Sequence, residues 1–206
     1  MTRRATGRFP GFEVLGQAER WDKVTADLVT ARTGPAGKPR FFSASEQATA
    51  AALLNQLTGQ DDEPLGVPIM EMVDARLAAG ETDGWRYADM PEDGKAWHET
   101  LGYLEKDAHT RCGTSFADAP RRDQLAIIQA VQDASEWHGL AAARVWSLWT
   151  RYACTALYSH PLAWSEMGFP GPAYPRGYKN AGVGKLEPFE VADRRPDEDP
   201  VGDDSR

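Results

Sequence analysis

The side chains able to do chemistry are few, and their spacing does not gather them into a site. His98 and His109 stand eleven positions apart, which puts them on one helix face. They are then about 16 Å apart along the axis, too far to share a metal. Neither belongs to an HExxH-type pattern, and His138, two residues after Glu136, gains no further ligand from its neighbours. His160 sits at a helix-to-loop junction, where an imidazolium would meet the carbonyl end of a helix favourably, so a capping role is expected there. Cys112 and Cys154 have no CxxC companion, and no Cys-x-x-Cys-His occurs, so zinc, iron–sulfur and c-type haem sites are not expected. The nearest approach to a phosphate cradle, Gly182-Val183-Gly184-Lys185, lacks the strand before it and the Ser or Thr after it. There is no GxGxxG. No catalytic, cofactor-binding or metal-binding residue is assigned to this chain.

Composition narrows the class. The chain has 206 residues, 41% of them apolar, enough for a real core in one ordinary domain. Its net charge of −8 argues against a nucleic-acid-binding surface over the molecule. No apolar run approaches the roughly 18 to 20 residues of a membrane span. Arg3 and Arg4 invite a twin-arginine export reading, but the stretch behind them is broken by Arg8, Pro10, Gly11 and Glu13. The expected compartment is therefore the cytoplasm, unless a partner carries the chain out. In a reducing cytosol the two cysteines default to separate buried thiols, with a Cys112–Cys154 disulfide left to geometry.

The elements that must position any function are helical. Residues 1–40 carry eight Lys or Arg against four Asp or Glu and end in a Gly/Pro-rich stretch. They read as an irregular arm, with a short helix near Glu19 to Val29. Ser43 and Glu46 fit a capping box, and Gly59 suits the left-handed residue that ends the helix behind it. Pro68 suits a first turn, with Ile69, Val73 and Leu77 at helical spacing until Gly80. Trp97, Leu101, Leu104 and Ala108 form the stripe of a third helix. Pro120 opens a fourth, with Leu125, Ile128 and Val131 inward. A fifth runs from about Leu140 to Tyr158, with Val145, Trp149, Tyr152 and Ala156 on one side, and Pro161 stops it. Trp137, Trp146 and Trp149 read as helix–helix contacts. The expected fold is mainly α: a compact bundle of about five helices over residues 41–189, ending in a long Pro/Gly/aromatic loop. Residues 190–206, with seven acids against three bases, read as an acidic mobile tail.

The loop breaks the pattern. Residues 159–189 carry prolines, glycines and aromatics with no helical period, and loops of such length in a compact domain are uncommon and usually functional or disordered. Proline lowers the entropy lost on docking, so the loop suits a fixed surface. Trp164, Phe169, Tyr174, Arg176 and Tyr178 are its candidate partner-contact residues, of the types that anchor interfaces. The alternative is that the loop folds back on its own bundle.

The block from Tyr158-Ser159-His160-Pro161 through Trp164, Gly168-Phe169-Pro170-Gly171-Pro172 and Tyr174-Pro175-Arg176-Gly177-Tyr178 closely resembles the C-terminal signature of the gluconate 2-dehydrogenase subunit 3 family. Phe41-Phe42, Gly66-Val67-Pro68 and Phe116 are similar to that family upstream, so the resemblance covers about residues 40–180. It implies a small, non-catalytic subunit without a cofactor of its own. The implied partner is a large flavoprotein of the glucose-methanol-choline type, which holds FAD and oxidises a sugar or glycoside hydroxyl. Whether a cytochrome accepts the electrons is left open. Many relatives carry a twin-arginine signal, and this sequence departs from them there. Two other readings stand beside this one: a dedicated folding or export chaperone of that oxidoreductase, and a stand-alone helical enzyme.

Overall fold

A computed structural model describes residues 8–60, 65–180 and 182–197. Arg3, Arg4 and residues 198–206 of the acidic tail lie outside the described residues. In chain order the elements are a 3₁₀ helix (Val14–Arg20), α1 (Lys23–Ala31), α2 (Ala44–Thr58), α3 (Ile69–Ala78), α4 (Asp93–Cys112), α5 (Arg121–Asp133), β1 (Glu136–Trp137), β2 (Leu140–Ala141), α6 (Ala142–Tyr158) and α7 (Pro161–Met167). The fold is mainly helical, as the periodicity requires. The chain divides into two compact units, one within Ala36–Leu157 and one combining Met1–Pro35 with Tyr158–Arg206.

The Ala36–Leu157 unit is the helical bundle. α2 begins with the expected capping box, Ser43 accepting from the Glu46 N–H while the Glu46 carboxylate accepts from the Ser43 N–H at 2.8 Å. It ends at Gly59, whose φ of 68° is the left-handed conformation that a side chain would strain. The segment leading into α2 is fixed by Asp74 of α3. Its buried carboxylate accepts from the backbone N–H groups of Arg40, Phe41 and Phe42 at 2.6, 2.9 and 2.8 Å. Three donors that would otherwise lack protein partners are thereby satisfied by one side chain.

α2 packs against α3, α4 and α5. Trp97, Leu101, Leu104 and Ala108 of α4 are buried, as are Val145, Trp149, Tyr152 and Ala156 of α6, matching the expected stripes. Leu125 is the exception, because α5 turns it outward and buries Gln124, Ile127, Ile128 and Val131. The reason is polar: the Gln124 amide donates to the Phe116 carbonyl at 2.9 Å and accepts from Gln56 at 2.7 Å. The hairpin before α6 turns at His138 (φ 50°) and Gly139 (φ 82°), the left-handed pair a two-residue turn demands. Cys112 and Cys154 are free thiols, Cys154 exposed rather than buried.

The second unit corrects two expectations from sequence. The arm is not mostly irregular over its described part, since it holds the 3₁₀ helix and α1, the latter capped by Asp22 accepting from Val24 and Thr25. The stretch after residue 159 holds α7, too short to show a period but started by a first-turn proline. Val14, Trp21, Val29 and Trp164 form the unit's core, with Phe12, Ala18 and Ala26 packed against it. The start of the acidic tail is tied in by the Arg8–Asp193 ion pair and by the Arg194 N–H donating to the Arg8 carbonyl at 2.9 Å.

The bundle core contains a matched pair of indoles. Trp149 donates its Nε1–H to Thr100 at 3.1 Å, whereas the Trp97 Nε1–H is buried without an acceptor among the described residues. Both side chains are fully buried. Trp149→Phe therefore loses a satisfied hydrogen bond that Trp97→Phe does not. Chemical denaturation of the two variants should find Trp149→Phe the more destabilised, by about 1 kcal/mol.

Candidate functional site

The unit built from both chain ends carries the aromatic loop, and its geometry rests on two glycines. Gly168 caps α7 at φ 68°, and Gly171 adopts φ 77°. Both conformations favour glycine, and the absent Cβ matters as well. A Cβ on Gly168 would run into the ring of Phe9, and one on Gly171 into the indole of Trp21. The arm therefore lies directly on the loop backbone at both points. Ser165 adds a polar stitch, its hydroxyl accepting from the Val14 N–H at 3.1 Å. Arg32 of the arm donates to the Ser159 carbonyl at 2.9 Å and sits 5.8 Å from the centroid of Trp164.

The candidate partner-contact residues separate on this framework. Trp164 is only 6% exposed and belongs to the unit's own core, with its Nε1–H donating to the Tyr158 carbonyl at 2.6 Å. Its surface is therefore spent inside the chain. Phe169 packs edge-on to Trp164, 5.4 Å between centroids, and keeps 38% of its surface exposed. Arg176 is half-buried, donating to the Pro170 carbonyl at 2.7 Å and to Gln17 at 3.3 Å. Tyr174 and Tyr178 are 68% and 54% exposed. Among the described residues, only Trp85, Tyr87 and Leu125 of the exposed large apolar side chains belong to the bundle. The rest, including Val24, Leu28, Val183 and Leu186, belong to this unit.

The histidines take structural places. His98 pairs with Glu46 at 2.6 Å and stacks on Phe41. His138 binds Asp107 through Nε2 at 2.9 Å and stacks on Tyr103, while Trp137 donates to the same carboxylate at 2.8 Å. Together they pin the hairpin to α4. His160 is a cap, but of the opposite kind to the one expected. It begins α7, and its Nδ1 accepts from the Leu162 N–H at 3.2 Å, so the ring serves as a neutral acceptor. Burial holds its pKa below the ordinary histidine value, and the nearby Arg32 charge adds to this.

A cleft of about 560 Å³ in the bundle is lined by Leu77, Glu81, Trp85, Glu92, Asp93 and Tyr152, among others. Ion pairs stand around Asp93 and beside the cleft. Asp83 accepts from both Arg76 and Arg151, and Asp93 accepts from the Tyr152 hydroxyl at 2.8 Å and from Arg151 at 3.3 Å. Burial and the Asp93 carboxylate push the Tyr152 pKa far above the ordinary phenol value, leaving a neutral hydrogen-bond donor. The Thr82 hydroxyl accepts from the Gly84 N–H, and no histidine lines the cleft. This arrangement braces the α3–α4 loop. Among the described residues, no group of three His, Cys, Asp or Glu is placed to hold a metal, and no helix is long and apolar enough to cross a membrane.

The family model for gluconate 2-dehydrogenase subunit 3 matches residues 44–171, more than half of the chain. The chain belongs to the gluconate 2-dehydrogenase subunit 3 family. The family's name is that of a subunit of a dehydrogenase complex. Comparison with curated proteins and with solved structures gives no match. The family span opens at the start of α2 and closes on Gly171, the second of the two glycines that receive the arm. Tyr174, Arg176 and Tyr178 lie beyond it. Phe9 and Trp21, which the residue pattern did not single out, are what the glycines accommodate. The sequence signal was the pair of glycines closing Gly168-Phe169-Pro170-Gly171.

Two outcomes follow. Gly171→Ala forces a Cβ into Trp21 at a positive φ, so it should destabilise this subunit-3 family member by about 2 kcal/mol or more. Chemical denaturation of the variant beside wild type measures that loss. The depressed His160 pKa gives stability that is present above its unfolded value and lost as pH falls through it. Melting temperature should therefore decline below about pH 6.5. His160→Asn, which keeps a neutral cap, should remove that part of the decline.

Proposed function

We propose that this chain is a non-catalytic small subunit that binds and stabilises a large FAD-containing dehydrogenase of the glucose-methanol-choline type. The partner oxidises a sugar or glycoside hydroxyl, and this chain supplies none of the reacting groups. Family membership supports the association with a dehydrogenase catalytic subunit. The observation that carries the docking surface is the exposure of Tyr174 and Tyr178 on a loop braced from within by Trp164, Gly168 and Gly171. Tyrosine provides a large amphipathic contact with little side-chain entropy to lose, and a pre-set loop lowers the ordering cost further. Phe169 extends the same apolar surface. In this assembly the chain contributes area and rigidity, and flavin and substrate sites belong to the partner.

The test is co-purification of the tagged full-length chain from its native host, with the partner identified by mass and flavin absorbance. A stoichiometric flavoprotein is expected. Replacing both Tyr174 and Tyr178 by Ala should weaken the purified complex by at least tenfold, since each buried tyrosine anchor is worth about 1–3 kcal/mol. The melting temperature of the free chain should stay nearly unchanged, because both side chains are exposed. A wild-type chain that emerges alone and colourless would overturn the reading.

A further inference from the structure

Arg176 is a cation taken partly out of water without a carboxylate partner. Its guanidinium lies 3.7 Å from the centroid of Phe189; among the described residues its two terminal nitrogens reach only the neutral oxygens of Pro170 and Gln17, and its buried Nε has no acceptor. A desolvated charge in this position is costly unless an opposite charge arrives. Its neighbours do not provide one. The groove beside it, about 580 Å³, is lined by Arg20, Arg176, Lys179, Asn180, Glu187 and Phe189 among others. Glu187 is the acid in that lining, and its buried carboxylate is already engaged by the backbone N–H groups of Lys179 and Asn180 and by the Asn180 side chain. Arg20 and Lys179 are exposed and enter no ion pair among the described residues. Three cations thus converge on one groove in a chain whose net charge is −8.

Resting on the docking reading above, we infer that this groove is a carboxylate receptor that takes an Asp or Glu side chain presented by the catalytic subunit. Arg176 sets a positive charge in the lining of the groove, and the Arg20 and Lys179 charges form the rim that draws a carboxylate in. Position favours a protein carboxylate over a free anion. Arg176 stands two residues from each of the exposed tyrosines, Tyr174 and Tyr178, so an apolar partner surface seated on those rings carries its own side chains to the groove. Packing of the tyrosines would then exclude water around the ion pair.

The experiment uses the flavoprotein isolated as above, separated from the small subunit and rebound to purified full-length variants. Arg176 itself holds the loop, so the charges are reversed at the exposed rim, as Arg20→Glu with Lys179→Glu. Thermal melts of the free variants check that the chain still folds. Affinity should fall at least tenfold, and its decline between about 50 and 500 mM salt should flatten relative to wild type. The Tyr174→Ala with Tyr178→Ala pair should lose affinity while keeping the wild-type salt dependence. Unchanged affinity in the charge-reversed pair, with loss in the tyrosine pair, overturns the receptor and leaves the docking surface standing. No loss in either pair, or no binding by wild type, overturns both.

Discussion

Everything on the aromatic face depends on two places where a backbone has no side chain. At Gly168 and Gly171 the rings of Phe9 and Trp21 occupy the volume that any other residue would fill. Close approach of ring to backbone buries apolar area on both sides and excludes water from the loop's inner face. It also converts a proline-rich segment, which has no ladder of hydrogen bonds to hold it, into a surface of fixed shape. Trp164 and the Ser165–Val14 bond extend that hold to α7. The loop's outer side chains are displayed because its inner contacts are already complete.

The same economy governs the charges. In the bundle, carboxylates are met by strong donors close at hand: Asp74 by three backbone N–H groups, Asp83 by two guanidiniums, Asp93 by Tyr152 and Arg151. Such arrangements set the geometry of loops and helix ends. The loop unit differs at Arg176, which is partly buried and, among the described residues, served only by neutral oxygens. Under the proposed docking role, the bundle would serve as scaffold and the loop unit as the recognising face.

The bundle was legible in the sequence because its signals are local. A capping box, a left-handed glycine and stripes at helical spacing report on neighbours a few residues away, and α2, α4 and α6 follow them closely. Leu125 misled because a single buried amide, Gln124, decided the rotation of α5, and amide partners such as Gln56 of α2, 68 positions upstream, leave no periodic trace. His160 was legible as a cap but not as an acceptor, since the choice depends on α7, seven residues long and invisible to a period. Trp164 read as an interface anchor by residue type, whereas its partners Val14, Trp21 and Val29 lie more than a hundred positions upstream. The loop's contact residues were found by composition, and which of them face outward required the arm.

The loop unit has an ordering consequence for synthesis. Its halves are separated by the whole of Ala36–Leu157, which is compact in its own right. A ribosome releases chains from the N-terminus, and domains generally fold as units while they emerge. The bundle can therefore close while Phe9 and Trp21 still await the glycines that receive them. The entropy of closing so long a separation grows only logarithmically with length. The loop's face therefore forms after the bundle, and a nascent chain still lacking α7 and the loop would carry the bundle without the proposed docking face.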